Sequence, residues 1–117
     1  MRKDYFLLFG SNEPDVVKLV TEVSQMLKIC FTPHESDYLG NYFLYQGICS
    51  DKISIHCNFV GNVNEWREEK YREFPTLIYV ANYCGKNLDK NKRTDEVKLN
   101  LQMNNKITLL KEDIIES

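Results

Sequence analysis

The sequence predicts an α+β domain, with a mainly antiparallel sheet of about five or six strands and one long helix packed on a face. Three observations predict it. Ile53, Ile55, Cys57 and Phe59 alternate with Ser54, His56 and Asn58, the period of a half-buried strand. Val16, Leu19, Val20, Val23, Met26 and Leu27 recur at helical spacing. The chain has 117 residues, 43% of them apolar and 27% charged, which suits one domain (1–117) with its own core and argues against disorder.

The elements follow in chain order. Asp4 to Phe9 reads as a first strand, ended by Gly10. Ser11 to Asp15 is a helix start. Asn12 is the predicted cap, Asp15 lies three residues on, and Pro14 falls in the first turn, where its missing N–H costs nothing. The apolar stripe from Val16 to Leu27 then forms the helix. Ile29 to Phe31 is extended, Thr32-Pro33 breaks it, and His34 to Asp37 reads as a polar loop. Tyr42–Gln46 and Lys52–Phe59 are predicted to pair as an antiparallel hairpin. Asn64 to Arg72 reads as a short helix with Trp66 packed inward, ended by Phe74-Pro75. Leu77 to Tyr83 is a central strand, and Cys84 to Arg93 a polar, basic loop. In the tail, Val97, Leu99, Leu101 and Met103 alternate as a strand would, but Thr94-Asp95-Glu96 is a helix-start signal. The reading adopted is helix, then a final strand over Ile107–Ile115; a terminal β-hairpin is the alternative.

Composition limits the function classes. No run approaches the roughly 18 apolar residues of a membrane span, and Tyr5 to Phe9 is too short for a signal-peptide core. The expected location is the cytoplasm, with no membrane partner. Cys30, Cys49, Cys57 and Cys84 form no C-x-x-C pair and are expected to be free thiols, Cys30 and Cys57 as small core residues. Net charge is −2, distributed unevenly. Gly10 to Glu69 carries nine acids and four bases; Lys70 to Ser117 carries nine bases and seven acids. A general nucleic-acid binder should show a basic stripe; an acidic first half suits a basic partner better, although a solvated surface has the same composition.

Catalysis requires a nucleophile, a base and a stabiliser that converge, and the spacing here singles out no such set. His34 lies beside Glu35 and Asp37; His56 lies on the polar side of its strand. Either could serve acid–base RNA cleavage, but the simpler reading of each is a neutral surface histidine. No phosphate loop, dinucleotide fingerprint or reinforced metal cluster is present, so no cofactor and no metal is expected. Seven tyrosines, six phenylalanines and one tryptophan are a generous aromatic supply, equally consistent with an interface or a well-filled sheet.

The run Phe31-Thr32-Pro33-His34-Glu35-Ser36-Asp37-Tyr38-Leu39-Gly40-Asn41-Tyr42 leads to the alternating strand Lys52–Asn58. An acidic, Trp-containing segment follows and ends in Phe74-Pro75-Thr76-Leu77-Ile78-Tyr79-Val80. This order resembles the immunity proteins of bacterial contact-dependent growth inhibition systems, over residues 5–80 and most clearly over 31–80. The resemblance implies a cytoplasmic, non-enzymatic protein that binds the C-terminal domain of a cognate toxin, often a nuclease, and covers its active site. An inhibitor of a basic nuclease can mimic nucleic acid with carboxylates and tyrosines. The partner-binding residues expected on that basis are Glu35, Asp37, Tyr38 and Asp51, followed by Glu68 and Glu69. The rival readings are a small RNA-binding module built on the aromatic sheet and a metal-independent nuclease using His34 or His56.

Overall fold

A computed structural model describes residues 1–36, 40–61 and 63–117. Among them the chain forms β1 (Lys3–Ser11), α1 (Val16–Leu27), β2 (Thr32–Ser36), β3 (Gly40–Tyr45), β4 (Lys52–Cys57), β5 (Phe59–Val60), β6 (Glu65–Trp66), a 3-10 turn (Glu69–Tyr71), β7 (Thr76–Asn82), α2 (Asn87–Gln102) and β8 (Ile107–Glu116). The main sheet runs β2-β3-β4-β7-β1-β8, and every pairing in it is antiparallel. The fold is therefore the α+β class read from the sequence, with two α-helices packed on the sheet. No described helix is long and apolar enough to cross a membrane.

Both helices cover the same face. Strand alternation sends Leu7 and Phe9 of β1, Ile53 and Ile55 of β4, and Ile78 and Val80 of β7 to that face. They bury there against Leu19 and Val23 of α1 and Val97 and Leu101 of α2. Fully burying such side chains stabilises by about 1.5–3 kcal/mol each, so this layer dominates the fold's stability. The β3–β4 hairpin takes the expected register, with Tyr42 opposite His56 and Tyr45 opposite Ile53. β7 is central, between β4 and β1.

Several expectations need correcting. α1 starts later than read: β1 continues to Ser11, paired with Thr76 and Ile107, so Asp15 becomes the cap. Its carboxylate accepts from the Val17 and Lys18 amides at 3.0 and 3.3 Å. α2 starts about two turns before Thr94, inside the supposed basic loop. Its first half packs through polar groups: Lys90 and Thr94 are buried, with Lys90 Nζ 3.5 Å from Asp4 and Thr94 Oγ1 receiving the Asn82 amide at 2.9 Å. A helix that buries polar side chains leaves no apolar stripe to read.

His34 to Ser36 belong to edge strand β2, which shows no apolar alternation because residues 32–35 are exposed. Ile29 and Phe31 pack against the core margin outside any strand. Residues 64–72 form β6 and the 3-10 turn, not an α-helix, and Asn64 adopts a left-handed φ of 55° that breaks helical geometry. Cys30 and Cys57 are exposed, not core; all four cysteines are free thiols in the structure.

Candidate functional site

Among the described residues, no α-helix covers the second face of the sheet. Residues 58–61 and 63–75 cross it as a strap, made of the β5–β6 hairpin, the 3-10 turn and the run into β7. Asn58 fixes the strap's path. Its fully buried amide donates to the carbonyls of Tyr71 and Phe74, both at 2.9 Å, and of Glu68 at 3.4 Å. Its Oδ1 accepts the Glu68 amide at 2.9 Å, and its backbone bonds Pro75 and Arg67. One side chain thus satisfies backbone groups that a segment with so little regular structure would otherwise leave unpaired. Further along, Phe74 lies on Gly10 of β1, where a Cβ would stand 2.5 Å from the Phe74 ring. Tyr71 Oη donates to the Leu110 carbonyl at 3.4 Å.

Under and beside the strap, four rings cross four adjacent strands. His34 stacks on Tyr42 (centroids 5.4 Å apart, 19° between planes), and Tyr42 stacks on His56 (4.9 Å, 14°). His56 then meets Tyr79 edge-on (5.5 Å, 88°). The register produces this ladder: His34 is opposite Tyr42, Tyr42 opposite His56, and Tyr79 diagonal to His56 through Ser54. The strap closes the ladder, with the Arg67 guanidinium 4.9 Å from the Tyr79 ring centre and Tyr79 Oη donating to Glu68 at 2.7 Å. Burial, reinforced by the Glu68 hydrogen bond, raises the Tyr79 phenol above its usual range.

His56 is not the surface histidine read from its strand position. It is 3% exposed, and its Nδ1 has no hydrogen-bond partner among the described residues. Burial, with the charges of Arg67 and Lys52, pushes its imidazole down to about 3. It is therefore neutral at physiological pH and takes a proton there only at high cost, which makes it a poor general base. His34 and Tyr42 turn their faces to each other, leaving less ring area for stacking a nucleobase than the aromatic count implied. Among the described residues, no three His, Cys, Asp or Glu side chains converge as metal ligands would.

The strap's outer surface carries an apolar group among charged residues. Phe59 and Trp66 are paired across the β5–β6 hairpin in edge-to-face contact at 5.1 Å. They are 42% and 37% exposed, and Val63 in the hairpin turn is 37% exposed. Trp66 thus faces outward, opposite to the expectation, because the space beneath the strap is taken by Tyr79, Arg67 and Glu68. Glu65 and Glu69 are exposed on the same segment. A cavity of about 380 Å³ opens beside this group, lined by Val60, Val63, Trp66, Arg67, Glu68 and Tyr79 among others.

The sequence-derived contact residues do not form one cluster. Glu35 is exposed on β2, in register with Asn41 at the start of β3. Asp51 precedes β4, beyond the opposite end of β3. Its Oδ2 accepts from the amides of Tyr83 and Cys84 at 2.7 and 2.6 Å and from Arg93 Nη2 at 3.1 Å, so it locks the β4, β7 and α2 ends together. Glu68 is engaged with Tyr79, whereas Glu69 begins the 3-10 turn in solvent. Asp37 and Tyr38 lie outside the described residues. The sequence reading did not select Phe59, Val63 and Trp66; the signal available was the only tryptophan set in an acidic run. In comparisons with protein-family models and with curated proteins, the chain matches none.

Proposed function

We propose that this chain is a non-catalytic binding protein that docks another protein on its strap, and that the partner is the toxic domain whose neutralisation the resemblance over residues 31–80 implies. The observation that carries the reading is the exposed Phe59–Val63–Trp66 group with Glu65 and Glu69 beside it. Large aromatics that remain partly in solvent, rimmed by charge, have the composition of binding hot spots. The acids suit a partner with a basic surface, as a nuclease has, and would speed its approach. Glu69 and Glu68 on the strap, and Glu35 on the neighbouring edge, are the members of the sequence-derived set nearest this role. Asp51 has its Oδ2 committed to the fold.

The test is binding kinetics against the toxin domain encoded beside this chain. Trp66→Ala should weaken binding by about 2 kcal/mol or more, chiefly through faster dissociation. Glu65→Lys with Glu69→Lys should slow association and flatten its salt dependence. Failure of the wild-type chain to bind the domain would overturn the reading.

A further inference from the structure

Among the described residues, the charged or titratable groups around His56 come from several elements. Lys52 lies on its own strand; Tyr42 comes from β3, with His34 of β2 beyond it; Tyr79 comes from β7; Arg67 and Glu68 come from the strap. Among the described residues, the charges that act on the ring are the cations Arg67 and Lys52, and the Glu68 carboxylate accepts from the Tyr79 hydroxyl at 2.7 Å. A proton on His56 therefore meets positive neighbours, in a place where Nδ1 has no acceptor among the described residues.

The strap is the cover that can yield. β4 is hydrogen-bonded into the sheet on both sides, by β3 and β7, whereas the strap, tied to itself by Asn58, reaches the sheet through the Glu68–Tyr79 bond, the Tyr71–Leu110 bond and Phe74 on Gly10. The Glu68–Tyr79 pair lines two cavities, of about 380 Å³ and about 150 Å³, the second reaching Phe6, Leu8, Lys111 and Asp113. Segments with little regular secondary structure, tied to the sheet at a few points, can open below the global unfolding free energy.

We propose that the strap is a pH-gated cover: proton uptake by His56 lifts it off the ring ladder and withdraws Phe59, Val63 and Trp66 from their docking arrangement. The gate regulates the surface proposed above. Its opening needs no partner to be measured, so the two ideas fail separately.

The sign follows from linkage. Closed, the imidazole titrates at about 3; opened into water it returns toward its ordinary 6.5. The open form thus binds the proton more tightly. Closure is fully favoured above about pH 6.5 and weakens by about tenfold for each pH unit below it, until the closed-state value is reached. Ordinary carboxylates, near 4, change charge little between pH 6.5 and 5.

Hydrogen exchange of the free protein at pH 7.5 and 5.0, corrected for the intrinsic pH dependence of exchange, reads the gate directly. Trp66, the only tryptophan, reports the same event by its emission. The strap amides of Arg67, Glu68 and Tyr71 should open about thirtyfold more often at pH 5.0, with β7 amides unchanged. His56→Gln, or His56→Phe, which can keep the stack on Tyr42, should remove the response, and His34→Gln should keep it. Equal strap opening at both pH values would overturn the proposal. So would a response that survives in a folded His56 variant, one lost in His34→Gln, or acceleration of β7 in step with the strap.

Discussion

The two faces of the sheet are covered in opposite ways. On one, α1 and α2 bury aliphatic side chains from β1, β4 and β7 in a continuous apolar layer. On the other, a strap with two-residue strands and one 3-10 turn covers the ring ladder together with Leu8 and Leu77, and its path depends on hydrogen bonds converging on Asn58. Apolar burial is non-directional and tolerates small displacements. Hydrogen bonds from one side chain are directional and fail together when that side chain goes. The helix-covered face therefore sets global stability. The strap-covered face sets local opening, and it carries the exposed aromatic group.

Two substitutions sharpen that contrast. The larger effect is expected from Ile55→Ala, beneath the helices. Ile55 is fully buried, and truncation should cost about 3–4 kcal/mol in denaturant unfolding, with all probes moving together. A loss confined to the strap would break the comparison. The smaller comes from Tyr79→Phe, which keeps the ring contacts with His56 and Arg67 but removes the bond to Glu68. It should cost about 1 kcal/mol, read as roughly fivefold faster exchange of strap amides with little change in global stability. A global loss of several kcal/mol would mean the strap is part of the core.

The same contrast explains what could be read from the sequence. Val16–Leu27 became the expected helix and Ile53 and Ile55 the core positions of the expected strand, but that strand ends at Cys57 and buries Ser54 and His56 as well, while Cys57 and Phe59 are exposed. α2 was misplaced because its buried positions include Lys90 and Thr94, whose burial depends on Asp4 and Asn82, distant in sequence. The strap was read as a helix because Asn58, which dictates its path, looks from sequence like one polar position in an alternating strand. Asp51 drew notice as an exposed acid for similar reasons; its donors, Tyr83, Cys84 and Arg93, lie more than thirty residues away. The ring ladder depends on strand register, which no local pattern specifies. Aromatic content signalled that such a feature existed, but not whether its rings would face solvent or one another.

The central claim is that the strap is a separate cooperative unit hung on Asn58, and native-state hydrogen exchange of Asn58→Ala tests it most directly. Removing the amide orphans the carbonyls of Tyr71 and Phe74 and the Glu68 amide, at a cost of about 2 kcal/mol. The strap amides of Arg67, Glu68 and Tyr71 should then open about thirtyfold more often, while those of Ile78 and Val80 keep their wild-type protection. Equal acceleration in β7 and the strap, or none in the strap, would contradict the account.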